Sequence, residues 1–572
     1  MTRVLEIVLD VVRAAPPAAP AAHADRSAGS TASCASSTAP RSAVSPDASA
    51  SRGSAPGAFA AIVSAALPQL CALDATDATD AGASMRRVMF DRGGALARGG
   101  WRLAVETRGA AHGVVVSRRR TFTPGLCIVE PIFDAPLEAE DIESALFDAA
   151  PAPFREALAA AGAPEPVAAL AGERHAWRWT REGVSTEVVL DADVRDALAP
   201  SREAEERNAL RELHELHELH ELHELRVSVA WDEGADAAPL VDALFACAHD
   251  IVDVLPAFVR VTDALERAAA GCAAGDVAAV HADPVDLRGA ATAEAALLAI
   301  GANISAQWFG NDAGVRDSPN TEFIHQMRVS QRRLRTAMRI FSRWRDAVWN
   351  THIAPELKWL GGLLGEARDR DVFVESTLPA LAGADTEPAR WNELRDAAEA
   401  QRAAARARVR EALASPRYAH AALAWLQWLA ALARRSGASN EDGRSLYRHA
   451  RKRVRRYYER LAQTQKLTAI DEASRHRVRI AAKYLRYTLE FFTSITSRRT
   501  RTQTARTLSR LQSVLGDGND AAVALRYLER MDAEPYQLGF ARGWCEAVKR
   551  YTAKEGERLL RELPPPKVSR GA

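Results

Sequence analysis

Residues 325–341 read HQMRVSQRRLRTAMRIF, and residues 476–492 read HRVRIAAKYLRYTLEFF. At about 100° per residue, positions +3, +7 and +10 from each His return to one side of a helix, within an arc of roughly 80°. Those positions hold Arg328, Arg332 and Arg335 in the first copy and Arg479, Lys483 and Arg486 in the second. Arg339 extends the first row at +14, where the second copy has Glu490. The other side carries Met327, Leu334, Met338 and Phe341, or Val478, Leu485, Leu489 and Phe492. Each copy therefore reads as an amphipathic helix with an apolar stripe to bury and a cationic polar face.

The likeness runs further along the chain. Residues 363–369, LLGEARD, match residues 514–520, VLGDGND, and each His lies 40 positions before the Gly of its copy, Gly365 or Gly516. One internal spacing in two copies predicts a duplicated helical unit. Packed about a pseudo-two-fold, the copies would set their cationic rows face to face. The two Leu-Gly segments read as turns. Asp369, Asp371, Asp517 and Asp520 then serve as helix caps or orient nearby Arg, in preference to binding metal. Tyr484 and Tyr487 flank the second row and are expected to pack.

These motifs resemble the CHAD family, the conserved-histidine α-helical domain. The matches are His325-Gln-Met-Arg328, Arg332-Arg333-Leu-Arg335, Arg368-Asp369-x-Asp371-Val372 and His476-x-x-Arg479-x-x-x-Lys483-x-x-Arg486-Tyr487. The resemblance covers about residues 291–565. It implies a helical bundle with a basic central pore that binds inorganic polyphosphate, in proteins found with polyphosphate granules. On this reading the ligand lies along His325, Arg328, Arg332, Arg335, Arg339, His476, Arg479, Lys483 and Arg486. Arg368, Asp369, Asp520, Arg451, Lys452 and Arg455 are supporting candidates.

The totals agree with an anionic partner. The net charge of +1 over 572 residues hides a division. Residues 301–572 hold 49 Lys and Arg against 30 Asp and Glu, a net +19, and the remainder is net −18. A basic half points to nucleic acid, a membrane surface or polyphosphate. The acidic half argues against a chain that coats nucleic acid with its whole surface. Cys34, Cys71, Cys127, Cys247, Cys272 and Cys545 form no C-x-x-C pair, which suits a reducing compartment. The opening MTRVLEIVLDVV has acids inside its apolar run and makes a poor signal peptide. No apolar run approaches the roughly 20 residues of a membrane span. A cytoplasmic protein is expected.

Residues 5–12 predict a strand. Residues 14–57, rich in Ala, Pro and Ser, are expected to be a disordered insertion within a domain. Residues 59–73 have helical spacing. From residue 88 short strands alternate with turns, and helices are expected over 139–161 and 237–246, an α+β pattern that suits an antiparallel sheet or barrel. This order resembles the CYTH domain, the triphosphate-tunnel fold, with Phe90-Asp91 and residues 95–103 similar to its FDTP segment. The resemblance implies a tunnel whose acids hold a divalent metal and whose cations hold phosphate. Here Glu6, Val8 and Asp10 stand for the opening Glu-x-Glu-x-Lys, and Arg226, Ser228 and Ala230 for the later acidic strand. Ala104 and Glu106 stand for Arg-x-Arg, and Arg118 is the basic position kept. A tunnel with these replacements is expected to be degenerate, without triphosphatase activity.

His214, His217, His220 and His223 lie in a Glu-Leu-His repeat. Steps of three drift by about 60° on a helix, so four imidazoles do not converge on one ion. The repeat reads as a surface loop or helix extension, not a metal site. The expected organisation is a first strand (1–13), the insertion (14–57), the CYTH-like domain (58–270), a linker (271–290), the CHAD bundle (291–565) and a tail (566–572).

Three functions compete for the cationic rows. A non-catalytic polyphosphate module needs no cofactor. A metal-dependent phosphohydrolase would use His325 and His476 with the Asp residues, but it wants clustered carboxylates for metal. A single-strand nucleic-acid binder wants aromatics between the cations, and the rows contain none.

Overall fold

A computed structural model describes residues 3–11, 58–72, 83–109, 111–137, 144–196, 222–232, 234–270, 278–438, 445–464 and 466–569. The expected insertion over 14–57, and His214, His217 and His220, lie outside these.

Strand β1 (Arg3–Val11) alternates buried Leu5, Ile7 and Leu9 with Glu6, Val8 and Asp10, so the two sets point to opposite faces. The small elements α1 (Ala58–Ala66) and β2 (Cys71–Ala72) follow, and then the long strands begin. They are β3 (Ala83–Asp91), β4 (Trp101–Arg108), β5 (Ala111–Thr123), β6 (Leu126–Leu137), β7 (Glu165–Arg181), β8 (Val184–Asp196) and β9 (Leu222–Trp231). Pairing is antiparallel and runs β1-β6-β5-β4-β3-β7-β8-β9. It closes on itself, because β9 also pairs with β1 from Arg3↔Trp231 to Val11↔His223. A closed sheet has no open edge and encloses an interior. β10 (Ala257–Arg260) pairs outside the ring with the end of β1.

The outer face of the tunnel is apolar and covered. Leu5, Leu9, Val188, Leu225 and Val227 lie in one core with Val241, Leu244, Phe245 and Ile251 of α4 (Ala237–Val254). On another flank Trp101, Leu103, Val114 and Val116 cluster with Phe154 of α3 (Ala152–Ala161). Asp91 accepts the N–H groups of Leu96 and Ala97 at 3.0 and 3.1 Å and so starts the short α2 (Ala95–Arg98). The stretch read as ending the first domain, ahead of the linker expected over 271–290, holds β10 and α5 (Ala264–Ala269), which pack with the tunnel strands.

His223 departs from the surface-repeat reading. It sits in β9, 1% exposed, stacked on Phe59 with ring centroids 4.0 Å apart. Strand pairing with β1 overrides the local repeat there.

The helical region holds α6 (Ala293–Gly310), α7 (Asp312–Asp317), α8 (Thr321–Ile340), α9 (Ala354–Val372), α10 (Leu378–Ala384), α11 (Asn392–Leu413), α12 (Pro416–Ala438), α13 (Leu446–Ala462), α14 (Glu472–Phe491), α15 (Ala505–Arg530) and α16 (Pro535–Glu562). Asn320 caps α8 and Asp471 caps α14 through their side-chain oxygens. After α8, a 3-10 turn (Ser342–Trp344) and a π turn (Trp349–Ile353) lead into α9. After α14 the same pair, Thr493–Ile495 and Thr500–Thr504, leads into α15.

The Leu-Gly segments are not turns. Gly365 lies inside α9 and Gly516 inside α15, so Asp369, Asp371, Asp517 and Asp520 project from helix interiors and cap nothing. A glycine inside a helix costs about 1 kcal/mol relative to alanine, and at Gly361 of α9 the missing side chain leaves room for Arg335. A Cβ at Gly361 would stand 3.0 Å from Arg335 Nη2, and one at Gly365 would stand 3.9 Å from Arg328 Nε.

Candidate functional site

α8 and α14 lie side by side with their cationic rows toward each other. Arg332 Nε donates to the Tyr487 hydroxyl at 2.6 Å, and the Arg339 guanidinium lies 4.5 Å from the centre of the Tyr484 ring. Arg333, one position off the row, is 1% exposed and donates to Glu490 (2.7 Å), Gln307 (2.9 Å) and Asn303 (2.7 Å). Charge-assisted bonds to two other helices make Arg333 the anchor that fixes α8 against α14 and α6. The apolar-stripe rule did not reveal it. Its signal was the lone acid Glu490 at the place where the other copy has Arg339.

α9 and α15 form the floor. Arg328 Nη1 pairs with Asp369 at 2.9 Å, Arg335 rests on Gly361, and Arg368 stands beside His325. On the second side Asn519 neighbours His476, and Asp520 neighbours Arg479 and Lys483. Arg486 stacks on Tyr487 at 4.5 Å and lies 3.7 Å from Glu490 at the end of its row. Arg451, Lys452 and Arg455 are not in the groove. α13 buries Leu446, Ala450, Val454, Tyr457 and Leu461, which leaves those three exposed, and Arg455 pairs with Glu459 at 2.6 Å.

The groove holds like charges together. Burial, then Arg479, Arg332 and Arg328, push the Lys483 ammonium down to about 6. Burial and Arg368 push His325 down to about 4, and its Nδ1 is buried with no hydrogen-bond partner among the described residues. Burial also lowers Arg335, Arg479 and His476, each against neighbouring cations. Asp520 is raised by burial despite Asn519 and Arg479. Cations from both rows act on each other across the groove; Asp369 and Asp520 are set among them, with Glu322 near His325 and Glu490 beside Arg486. Such a surface attracts anions.

The tunnel interior contrasts with it. Arg87 lies 3.2 Å from Glu106 and 3.6 Å from Asp191, Arg174 bonds Asp191 at 2.7 Å, and Arg226 bonds Asp191 at 2.8 Å. At the mouth closed by α5, Arg102 pairs with Asp263, Arg119 with Glu266 (2.7 Å) and Glu6 (3.5 Å), and Arg267 with Asp10 (2.9 Å). Burial alone would raise Glu106 and Asp191, but the arginines outweigh it and hold both carboxyls below their ordinary range. The lumen keeps cations that the motif alignment missed, namely Arg87, Arg102, Arg119 and Arg174. Alternation of charges on β4, Arg102-x-Ala104-x-Glu106, was the visible signal. Arg118 is not the retained lumen cation. It faces outward over Trp101 at 4.7 Å, and its neighbour Arg119 faces in.

Fold and site together define a class of protein, a closed antiparallel tunnel joined to a helical domain with a cation-lined groove. Residues 299–529 match the family model of the CHAD domain. The CHAD domain from the plant Ricinus communis is 30% identical, over 51% of this chain and 99% of that one, with a TM-score of 0.44. By that identity over the whole plant domain, the chain belongs to the CHAD family, and its closed sheet resembles the triphosphate-tunnel fold. PptA from Streptomyces chartreusis is 19% identical over 48% of this chain and 99% of that one, with a TM-score of 0.33. A putative adenylyl cyclase from Hippeastrum, described as having a dominant triphosphatase activity, is 12% identical over 47% and 96%, with a TM-score of 0.26. Neither of these two carries weight for fold or function. No curated protein matches the chain. Among the described residues no helix is long and apolar enough to cross a membrane.

Proposed function

We propose that this protein binds inorganic polyphosphate in the groove between α8 and α14 and does not turn it over. The supporting observation is the set Arg328, Arg332, Arg479 and Lys483, which come from two helices into one electrostatic neighbourhood with few acids. The forked guanidiniums suit phosphate oxygens, and Lys483 adds a point charge. His325 to Arg335 spans about 15 Å of helix, room for several phosphate units. The ligand is therefore a chain and not a single phosphate, and polyphosphate granules are the place where the protein would meet it. The non-catalytic reading rests on the tunnel. Its inward arginines are engaged by its own carboxylates, including Asp263 at the start of α5 and Glu266 within it.

Titration of the full chain tests this proposal. Long-chain polyphosphate is expected to bind more tightly than RNA or DNA of matched charge at physiological salt, and Arg332→Glu with Lys483→Glu is expected to abolish binding with helicity kept. Equal affinity for all three polymers would reduce the groove to a generic polyanion surface. Sustained phosphate release from tripolyphosphate with Mg²⁺ or Mn²⁺ would overturn the non-catalytic half.

A further inference from the structure

The groove does not end in neutral surface. Beyond Arg339 the chain turns through Ser342–Trp344, and Arg345 Nε donates to the Met338 carbonyl at 2.8 Å, which holds Arg345 against the end of α8. From α13, Arg453 Nη2 donates to Ser342 Oγ at 3.1 Å. The Tyr457 ring of α13 lies 5.8 Å from Tyr484, the same ring that carries Arg339. Arg460 stands 5.9 Å over Tyr457. Positions 453, 456, 457 and 460 follow helical spacing and form one stripe, so Arg453, Arg456 and Arg460 make a third cationic row.

Arg456 and Arg460 are exposed, and Arg453 is partly so. Among the described residues none of the three makes an ion pair, and Glu459, the acid of that helix, is held by Arg455. Burial and then Arg339 lower Arg345, with Arg453 acting in the same direction, so cations follow one another from the groove to α13.

We propose that this third row, reached through Arg345, is an exit track on which a long polyphosphate chain continues after it leaves the groove. The proposal rests on the groove reading above. It assigns chain-length discrimination to α13: a ligand short enough to lie within the groove never reaches Arg453. The occupant is the same polyanion, because Arg345 stands between Arg339 of the groove and Arg453 of the row.

The test compares tripolyphosphate with long-chain polyphosphate on the full chain, using Arg453→Gln with Arg456→Gln and Arg460→Gln, substitutions that keep helix propensity. For the long chain, affinity should fall at least about tenfold, and the slope of log affinity against log salt should shrink by about 2, the counterions of three single-chain contacts. Tripolyphosphate should bind as before. Lys483→Met, within the groove, should weaken both ligands. A row variant that weakens both ligands equally, or neither, overturns the track. A larger loss for single-stranded RNA than for polyphosphate also overturns it, in favour of a nucleic-acid face. A Lys483→Met protein that binds both ligands normally overturns the groove reading instead.

Discussion

Lys483 is held against its own charge. The unfolded chain keeps the lysine proton to the ordinary value of 10.5, whereas in the groove burial and three arginines bring it to about 6. Between those limits the unfolded state binds more protons, so this group's contribution to stability rises with pH. Lys483→Met should therefore stabilise the ligand-free protein. The gain in melting temperature should reach about 2 °C or more near pH 6 and shrink toward pH 10. A bound polyanion restores the charge. At pH 8 the wild type should take up about one proton on binding, read from the buffer dependence of calorimetric heats, and the methionine variant should lose that uptake. A heat independent of buffer would remove Lys483 from the ligand. The rows were legible from spacing alone, because a helix repeats every 3.6 residues whatever surrounds it. The displaced titration and the anchoring of Arg333 were not, since both depend on residues of another helix far along the chain.

At the scale of elements, α5 shows what local pattern cannot. Its six residues fall at the end of the first domain, ahead of the linker expected over 271–290, but their pattern does not show that Asp263 and Glu266 lie on Arg102 and Arg119 of the tunnel. The Leu-Gly segments were misread for a related reason: a glycine that weakens an isolated helix is held within α9 at Gly365 and within α15 at Gly516 by the packing of the whole bundle. Asp263 is 1% exposed, and burial would raise its carboxyl, but Arg102 and Arg119 hold it well below the ordinary range. Its stabilising share is thus fully present above the ordinary carboxylate pKa and is lost progressively as pH falls from there toward the depressed value it has in the fold. Asp263→Asn keeps an oxygen to cap Glu266 N–H but leaves Arg102 under-neutralised. Denaturant unfolding at pH 7 should show a loss of about 3 kcal/mol, the usual result of breaking a buried pair, and the difference should fade in acid. An unchanged midpoint at pH 7 would mean that water, not α5, satisfies those arginines.

At the scale of the molecule, the two halves that composition separates share one core. The apolar cluster that begins at Leu5 and Leu9 of β1 runs through Val241 and Ile251 of α4 to Trp425, Leu426 and Leu429 of α12, and on to Leu334 and Leu485 beneath the cationic rows. Leu426 is 0% exposed, and a Cβ at Gly125, in the β5–β6 turn of the tunnel, would stand 2.6 Å from its Cδ1. His249 of α4 and His420 of α12 meet with Nδ1 atoms 2.7 Å apart, and His420 Nε2 lies 2.6 Å from Asp253. Sequence patterns locate helices and strands one at a time. They do not show that α12 is buried on both sides, by the tunnel and by its own bundle. If that shared core ties the halves, they unfold together. Calorimetry of the full chain should give one transition, and Leu426→Ala, at a cost of about 2–5 kcal/mol for a buried leucine, should lower it without splitting it. Two transitions, with the substitution moving only the helical one, would show that the groove is built by the helices alone and that the tunnel merely rides on them.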